Sequence, residues 1–175
     1  LEDAAGGLEY VEQPCSGLTD LAEVRAVTGV RIAADETIRR DHADPDLVRD
    51  SVDVAIVKVQ PSGGVTAALA LVERLALPAV VSSALETSVG LATGVRLAAA
   101  LPELPYACGL GTGLLLADDI VDRPLVPRHG AVDVDEVSNP AVVHAAAPIL
   151  PQTSAALIRR IRRAHRLIDS GLSLP

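Results

Sequence analysis

Methionine, phenylalanine and tryptophan are absent from the 175 residues, and Tyr10 and Tyr106 are the only aromatics. A core without large rings must be closed by Ala, Val, Leu and Ile, which suits buried parallel strands beneath helices of small residues. Stacking platforms for single-stranded nucleic acid are missing, and a net charge of -8 denies duplex phosphates the cationic surface they require. No apolar run reaches the roughly 18 residues of a membrane span. The opening LEDAAGGLEY lacks a charged-then-apolar leader pattern. The expected location is cytoplasmic, with neither nucleic acid nor membrane as partner. Cys15 and Cys108 show no metal or redox spacing and read as packed thiols. The missing methionine, and an opening that runs almost directly into a strand pattern, lead to the expectation of a fragment.

Lysine is nearly absent too: Lys58 is the only one beside fourteen arginines, and it sits in the apolar run DVAIVKVQPSGG. Similar runs recur along the chain: LEYVEQP (8–14), RIAADE (31–36), VAIVKV (54–59), AVVSSAL (79–85) and YACGLGT (106–112). Each is bounded by Gly, Pro or Asp and reads as a strand. Helical patterns lie between them. LTDLAEVRAVTG puts Leu21, Val24 and Val27 on one face and stops at Gly29; DPDLVRDSVD opens on Asp44 as N-cap with Pro45 at the first helical position. GGVTAALALVERLALP and ETSVGLATGVRLAAALP each end near a proline. Alternating strands and helices predict right-handed crossovers and a parallel α/β sheet.

Spacing then picks out particular residues. Glu12, Asp35 and Lys58 stand 23 residues apart, and Ser82 and Gly109 follow after 24 and 27. Each lies toward the C-terminal end of its run. Alternation along a strand sets Tyr10 with Glu12, Ala33 with Asp35, and Val54 and Ile56 with Lys58. One polar group per strand therefore projects to a common rim, which in a (β/α) barrel is the mouth that carries the chemistry. Two acids and an amine there are costly to desolvate unless a cation or a reaction organises them.

Carboxylates from separate strands, without His or Cys, are hard ligands suited to Mg²⁺. The histidines (His42, His129, His144 and His165) have no H-x-x-x-H spacing and read as structural or solvated. Mg²⁺ beside a lysine suits proton abstraction next to a carboxylate, the metal stabilising the enediolate and the amine serving as base or counter-cation. A guanidinium stays protonated and cannot act as the base. Two other readings stay open: a Schiff-base lyase using Lys58 as nucleophile, which leaves Glu12 and Asp35 unexplained, and a non-catalytic scaffold with open sheet edges.

The motifs YVEQP, AADE, IVKVQPSGG and VSSALETSVGL, in this order, resemble strands four to seven of the barrel domain of the enolase superfamily, in its muconate lactonising branch. With ACGLGTGLLLADDIV, they most resemble the o-succinylbenzoate synthases of actinobacterial type. The resemblance covers roughly residues 8 to 125. It implies a partial (β/α) TIM-type barrel, strands four to eight, acting on a small-molecule carboxylate. It also implies Glu12 and Asp35 as two of three Mg²⁺ ligands, and Lys58 as the strand-six lysine that steadies the enediolate through a cation–π contact. Ser82 and Gly109 would meet the substrate's succinyl group, and Glu36, pointing away from Asp35, would at most support the site.

In that family a second lysine acts as base and acid on strand two, and a third ligand sits on strand three. Both strands, and the capping domain, would precede residue 1. The chain alone is thus expected neither to hold Mg²⁺ tightly nor to turn over substrate. N-succinylamino acid racemases and dipeptide epimerases of the superfamily share the cluster, though the epimerases' D-x-D on strand eight is replaced here by CGLGT. The expected division is residues 1–125 as partial barrel and 126–175 as a loop and amphipathic helix packing on it. RPLVPRHGAVDVDE reads as a short hairpin or loop. TSAALIRRIRRAHRLID carries Leu157, Ile158, Ile161, Leu167 and Ile168 on one side and five arginines around the rest.

Overall fold

The computed structural model describes residues 6–39, 44–137 and 151–169. The chain divides into two compact units, Leu1–Val142 and Val143–Pro175, each described by itself. His42 and His144 lie outside the described residues.

The first unit alternates strand and helix: β1 (Val11–Glu12), α1 (Leu18–Thr28), β2 (Ile32–Ala34), α2 (Pro45–Ser51), β3 (Val54–Lys58), α3 (Val65–Leu75), β4 (Ala79–Ser82) and α4 (Ser88–Ala100). Local chemistry sets the helix ends. Gly29 ends α1 at φ 71°, its N–H returning to the Arg25 carbonyl, a left-handed cap that glycine adopts without a Cβ penalty. Asp44 caps α2 by accepting from the Asp46 N–H, with Pro45 at the first position, where its missing donor costs nothing. Asp46 also pairs with Arg49 one turn later.

All strand pairings are parallel, in the order β1-β2-β3-β4. One face of the sheet carries Ile32, Ala34, Ala55, Val57, Ala79 and Val81, in one buried cluster with helix residues such as Leu21, Val48, Leu75, Leu91 and Leu97. A fully buried Leu or Ile contributes about 1.5–3 kcal/mol. Many aliphatic contacts of this kind take the place of the missing aromatic core. The opposite face carries Ala33, Val54, Ile56 and Val80, with Tyr10 and Tyr106 packed against them. These two rings come from the two sides of the sheet and meet edge-on, centroids 5.2 Å apart at 81°. Strands spaced about 4.8 Å apart in a flat sheet would point such rings in parallel; their contact shows that the sheet curls toward this face.

Two of the expected strands shrink. Only Val11–Glu12 of LEYVEQP forms a strand; the Gln13 N–H adds one bond to the Ala33 carbonyl before the backbone turns to φ 41° and Pro14, which has no donor, ends the ladder. YACGLGT contributes a single parallel bridge, Gly109 to Ser82, its glycines being poor ladder formers. Val27, grouped by its spacing with Leu21, is 79% exposed whereas Leu21 is fully buried; the buried stripe of α1 runs through Leu18, Leu21 and Val24.

Residues 126–137, grouped by sequence with the C-terminal helix, pack with the sheet unit. Val137 is buried in its core, and its carbonyl accepts from Arg96 Nη2 at 2.8 Å. Within RPLVPRHGAVDVDE, Arg128 and Ala131 exchange backbone bonds of 2.8 and 3.0 Å. Between them His129 and Gly130 take φ of 52° and 79°, as a two-residue type I′ hairpin requires. The second unit contains one described helix, α5 (Pro151–Asp169), in which His165 Nδ1 lies 2.8 Å from Asp169, both exposed. No described helix is long and apolar enough to cross a membrane.

Candidate metal and substrate site

The curled face ends, at the C-terminal rim of the strands, in the residues singled out by spacing. Asp35 immediately follows β2 and is only 3% exposed. Lys58 is the last residue of β3, and its Nζ donates to Asp35 Oδ2 at 2.6 Å. The other oxygen, Oδ1, accepts from Arg39 Nη1 at 2.5 Å, one helical turn along the chain. Burial alone would raise the Asp35 pKa, but the charged hydrogen bonds from Lys58 and Arg39 outweigh it and hold the carboxyl below its ordinary value.

Glu12, at the end of β1, behaves in the opposite way. Partial desolvation raises its pKa first; the Asp35 and Glu36 carboxylates push it further, and Lys58 offsets only part of this. Positive charge is thus concentrated on Asp35 while its neighbour Glu12 is left short of it. The expectation that alternation removes Glu36 from the site is modified: the chain leaves the strand at Asp35 and enters a 3-10 turn, Glu36–Ile38, so the Glu36 charge is still felt at Glu12.

Ser82 and Gly109 complete a row across the sheet, with Lys58 in register with Ser82 and Ser82 bridged to Gly109. Glycine at position 109 allows a close approach, since a Cβ there would stand 2.5 Å from Ser82 Oγ and 3.2 Å from its Cβ. The Ser82 hydroxyl faces solvent, with a long 3.4 Å contact to the Gly109 carbonyl. Just beyond, Ser83 and Thr112 hydroxyls meet at 2.5 Å, tying the segment after Gly109 to the end of β4.

Sequence reasoning missed Arg39 and Gln13. Arg39 follows Asp35 at the i,i+4 distance of a helical turn, but the strand reading of RIAADE hid that turn. Gln13 lies between Glu12 and Pro14, where alternation points it to the helix side. Its positive φ instead brings its amide to Asp35 and Thr37. Cys15 and Cys108 are free thiols, packed at the margin of the helix-side core.

Glu12 and Asp35 offer the hard oxygen donors that Mg²⁺ prefers, and the charge deficit at Glu12 is what a cation would relieve. They do not form a complete set: among the described residues no group of three or more His, Cys, Asp or Glu could hold a metal ion.

The enolase C-terminal domain-like family matches residues 1–140. The o-succinylbenzoate synthase of Thermobifida fusca (strain YX) is 63% identical over 132 residues, 74% of this chain and 41% of the relative. That of Mycobacterium tuberculosis (strain ATCC 25618 / H37Rv) is 45% identical over 168 residues, 94% of this chain and 51% of the relative. Among solved structures, 2-chloromuconate cycloisomerase from Rhodococcus opacus 1CP superposes with a TM-score of 0.63 at 29% identity, over 74% of this chain and 37% of that one. The muconate lactonizing enzyme from Pseudomonas putida shares the fold, with a TM-score of 0.64 at 24% identity, over 72% of this chain and 37% of that one. The chain spans about half the length, or less, of the curated relatives it matches. With its parallel strands, its helices on one face and its polar rim at the strand ends, this chain belongs to the enolase C-terminal domain-like family and forms part of its (β/α) barrel.

Proposed function

We propose that this chain supplies the C-terminal barrel half of an o-succinylbenzoate synthase. The reaction is the Mg²⁺-dependent syn dehydration of 2-succinyl-6-hydroxy-2,4-cyclohexadiene-1-carboxylate to o-succinylbenzoate, on the route to menaquinone, in the cytoplasm. The observation that carries the reading is the Lys58–Asp35 contact of 2.6 Å at the rim beside Glu12, in a chain 63% identical to one such synthase over 132 residues.

In this reading Glu12 and Asp35 would be two of the residues that hold the ion. When bound, Mg²⁺ supplies electrostatic stabilisation of the carboxylate's enediolate form. Lys58 keeps its ammonium at the rim, anchored on Asp35, and presents a compact positive charge to the ring whose carboxylate becomes electron-rich as its α-proton leaves. Ser82 and the bare backbone at Gly109 leave room for the succinyl arm and offer it a hydroxyl. Loss of the ring hydroxyl as water completes the aromatic ring, so the elimination is downhill and the protein need only stabilise the dianion and move one proton. None of the residues assigned here is the general base. The family resemblance places it, with the third ligand, on strands before β1, so the chain alone is inferred to bind Mg²⁺ weakly and not to turn over.

A Schiff-base role for Lys58 is disfavoured, because it leaves Glu12 and Asp35 without a part in the chemistry. The test is to assay the chain with Mg²⁺, alone and fused behind the unmatched N-terminal portion of the Thermobifida fusca relative, with the cyclohexadiene substrate and with an N-succinylamino acid. Metal-dependent aromatisation by the fusion, lost with chelator and with Lys58→Met, is the expected result. Racemisation without dehydration would overturn the assignment, and turnover by the chain alone would overturn the inferred division of the site.

A further inference from the structure

Gln13 occupies a conformation that residues with a Cβ rarely adopt. It is a non-glycine residue at φ 41°, on the left-handed side that favours glycine. Strain of this kind costs about 1–3 kcal/mol and persists only where surrounding bonds over-determine it. Here they do. The Gln13 N–H donates to the Ala33 carbonyl at 2.8 Å, continuing the β1–β2 ladder by one residue. The side chain then uses both ends of its amide. Oε1 accepts from the Asp35 N–H at 2.7 Å, the Thr37 hydroxyl at 3.1 Å and the Thr37 N–H at 3.4 Å. Nε2 donates to the Cys15 carbonyl at 2.6 Å.

The donors that meet Oε1 have a specific origin. At Asp35 the chain leaves β2 and enters the 3-10 turn Glu36–Ile38, whose first N–H groups have no partner within the turn. No Asp35 side-chain bond caps the turn, since both of its oxygens are engaged by Lys58 and Arg39. Gln13 takes over the capping. That frees the Asp35 carboxylate to face the rim, and it links the residue after Glu12 to Asp35 itself.

We propose that Gln13 is the positioning residue of the carboxylate pair: through the Asp35 N–H and Thr37 it fixes where Asp35 stands relative to Glu12 and Lys58, without touching ion or substrate. This rests on the reading of Glu12 and Asp35 as ligands of a divalent ion. Glutamine fits the task because its acceptor collects the turn's donors while its NH₂ group satisfies the Cys15 carbonyl. A methionine of similar length keeps the reach and loses the bonds.

The lone lysine makes the test direct, because Lys58 is the only side-chain amine in the chain. The rate of its reductive methylation, followed by mass spectrometry of the peptide containing it, reports how firmly Asp35 holds it without any metal present. Mn²⁺ binding, followed by electron paramagnetic resonance on the same chain, reports the carboxylate pair. In Gln13→Met, methylation of Lys58 should be faster and Mn²⁺ affinity should fall about 10–100-fold, as for the loss of an outer partner of a metal ligand. Gln13→Glu, which keeps the acceptor, should restore the slow methylation, and Thr37→Val should lie between. A folded Gln13→Met with unchanged methylation rate and unchanged Mn²⁺ affinity overturns the proposal. If Gln13→Met does not fold, Thr37→Val decides, and methylation no faster than in the unsubstituted chain counts against it. If the chain fused behind the relative's N-terminal portion binds no Mn²⁺, the metal reading falls while methylation still decides the positioning role. If it binds Mn²⁺ and both variants match it in both readouts, the positioning role falls and the metal reading stands.

Discussion

Lys58 Nζ and Asp35 Oδ2 are 2.6 Å apart, so the one lysine of the chain is paired across adjacent strands with the most buried carboxylate of the rim. The side chains are 17% and 4% exposed, and Arg39 holds the other oxygen of Asp35. Asp35 therefore has two charged hydrogen-bond partners, whereas Lys58 has one and only a longer-range attraction to Glu12. Removing either should have unequal effects.

Lys58→Met leaves Asp35 with Arg39 as its remaining charged partner, and the expected loss is about 1–3 kcal/mol, the usual cost of an under-satisfied buried acceptor. Asp35→Asn leaves both Lys58 and Arg39 facing a neutral amide, and should cost more. The double variant should be less destabilised than the sum of the two, since residues in one charged network couple. Urea denaturation of the four chains checks this; additive losses would show that the contact contributes nothing.

Glu12 gives a pH dependence of the less common sign. Its folded-state pKa is raised, by desolvation and then by Asp35, so the folded chain binds this proton more tightly than the unfolded one. Its contribution to stability is then most favourable below the ordinary glutamate value of about 4.3, and declines as pH rises through the raised folded value. Glu12→Gln should therefore stabilise the metal-free chain at neutral pH, and the gain should vanish near the ordinary glutamate value. Thermal melts across that range read the crossing directly. A divalent ion should abolish the neutral-pH advantage, because it reverses the sign of the field at Glu12.

How legible the site was in sequence follows from these contacts. Strand periodicity and a spacing of 23 to 27 residues bring Glu12, Asp35, Lys58, Ser82 and Gly109 to one rim, because a parallel sheet converts a nearly constant repeat length into a common edge. Asp44 with Pro45, and Gly29, were readable as helix ends because capping is local chemistry. What escaped depends on departures from regularity. Gln13 reaches Asp35 only because φ turns positive where a strand was expected to continue, and Arg39 pairs with Asp35 only because a 3-10 turn starts one residue earlier than the pattern implied. Val27 matched the stripe of α1 by spacing, yet the helix is narrow in its contact with the sheet and leaves it in water.

Asp119 is a second acid-sensitive link of the unit, in addition to Asp35. Its Oδ2 accepts from the Ser88 hydroxyl at 2.6 Å and the Ser88 N–H at 2.9 Å, and that hydroxyl in turn accepts from the Leu125 N–H at 2.7 Å. A carboxylate thus caps the start of α4 from the loop that follows Gly109. Desolvation acts to raise the Asp119 pKa, but the bonds from Ser88, Ile120 and Val121 prevail and lower it. Its stabilisation is then complete above the ordinary aspartate value of about 3.9 and is lost as pH falls through the lower folded value. Asp119→Asn should destabilise at neutral pH and converge with the unsubstituted chain in acid, opposite in sign to Glu12→Gln. Amide exchange at Ser88 and Leu125 should accelerate in the variant; unchanged protection would mean that the loop is held by other contacts.

Gly109 and Ser82 make the last case, and it separates steric from chemical requirements at the substrate end of the row. An alanine at 109 would put its Cβ 2.5 Å from Ser82 Oγ, 3.2 Å from Ser82 Cβ and 3.5 Å from Ser82 Cα. The first of these can be removed by trimming the side chain, whereas the last belongs to the backbone of β4. Gly109→Ala alone should cost about 1–3 kcal/mol, as overpacking does, and should unseat the bridge that extends the sheet beyond β4. Ser82→Ala should recover the part due to Oγ, and Ser82→Gly most of the rest, leaving the ordinary contact with Cα. Equilibrium unfolding of the Gly109→Ala series measures this gradient. If Ser82→Gly brings no recovery, the strain lies in the Gly109 backbone and not in the approach of the two residues.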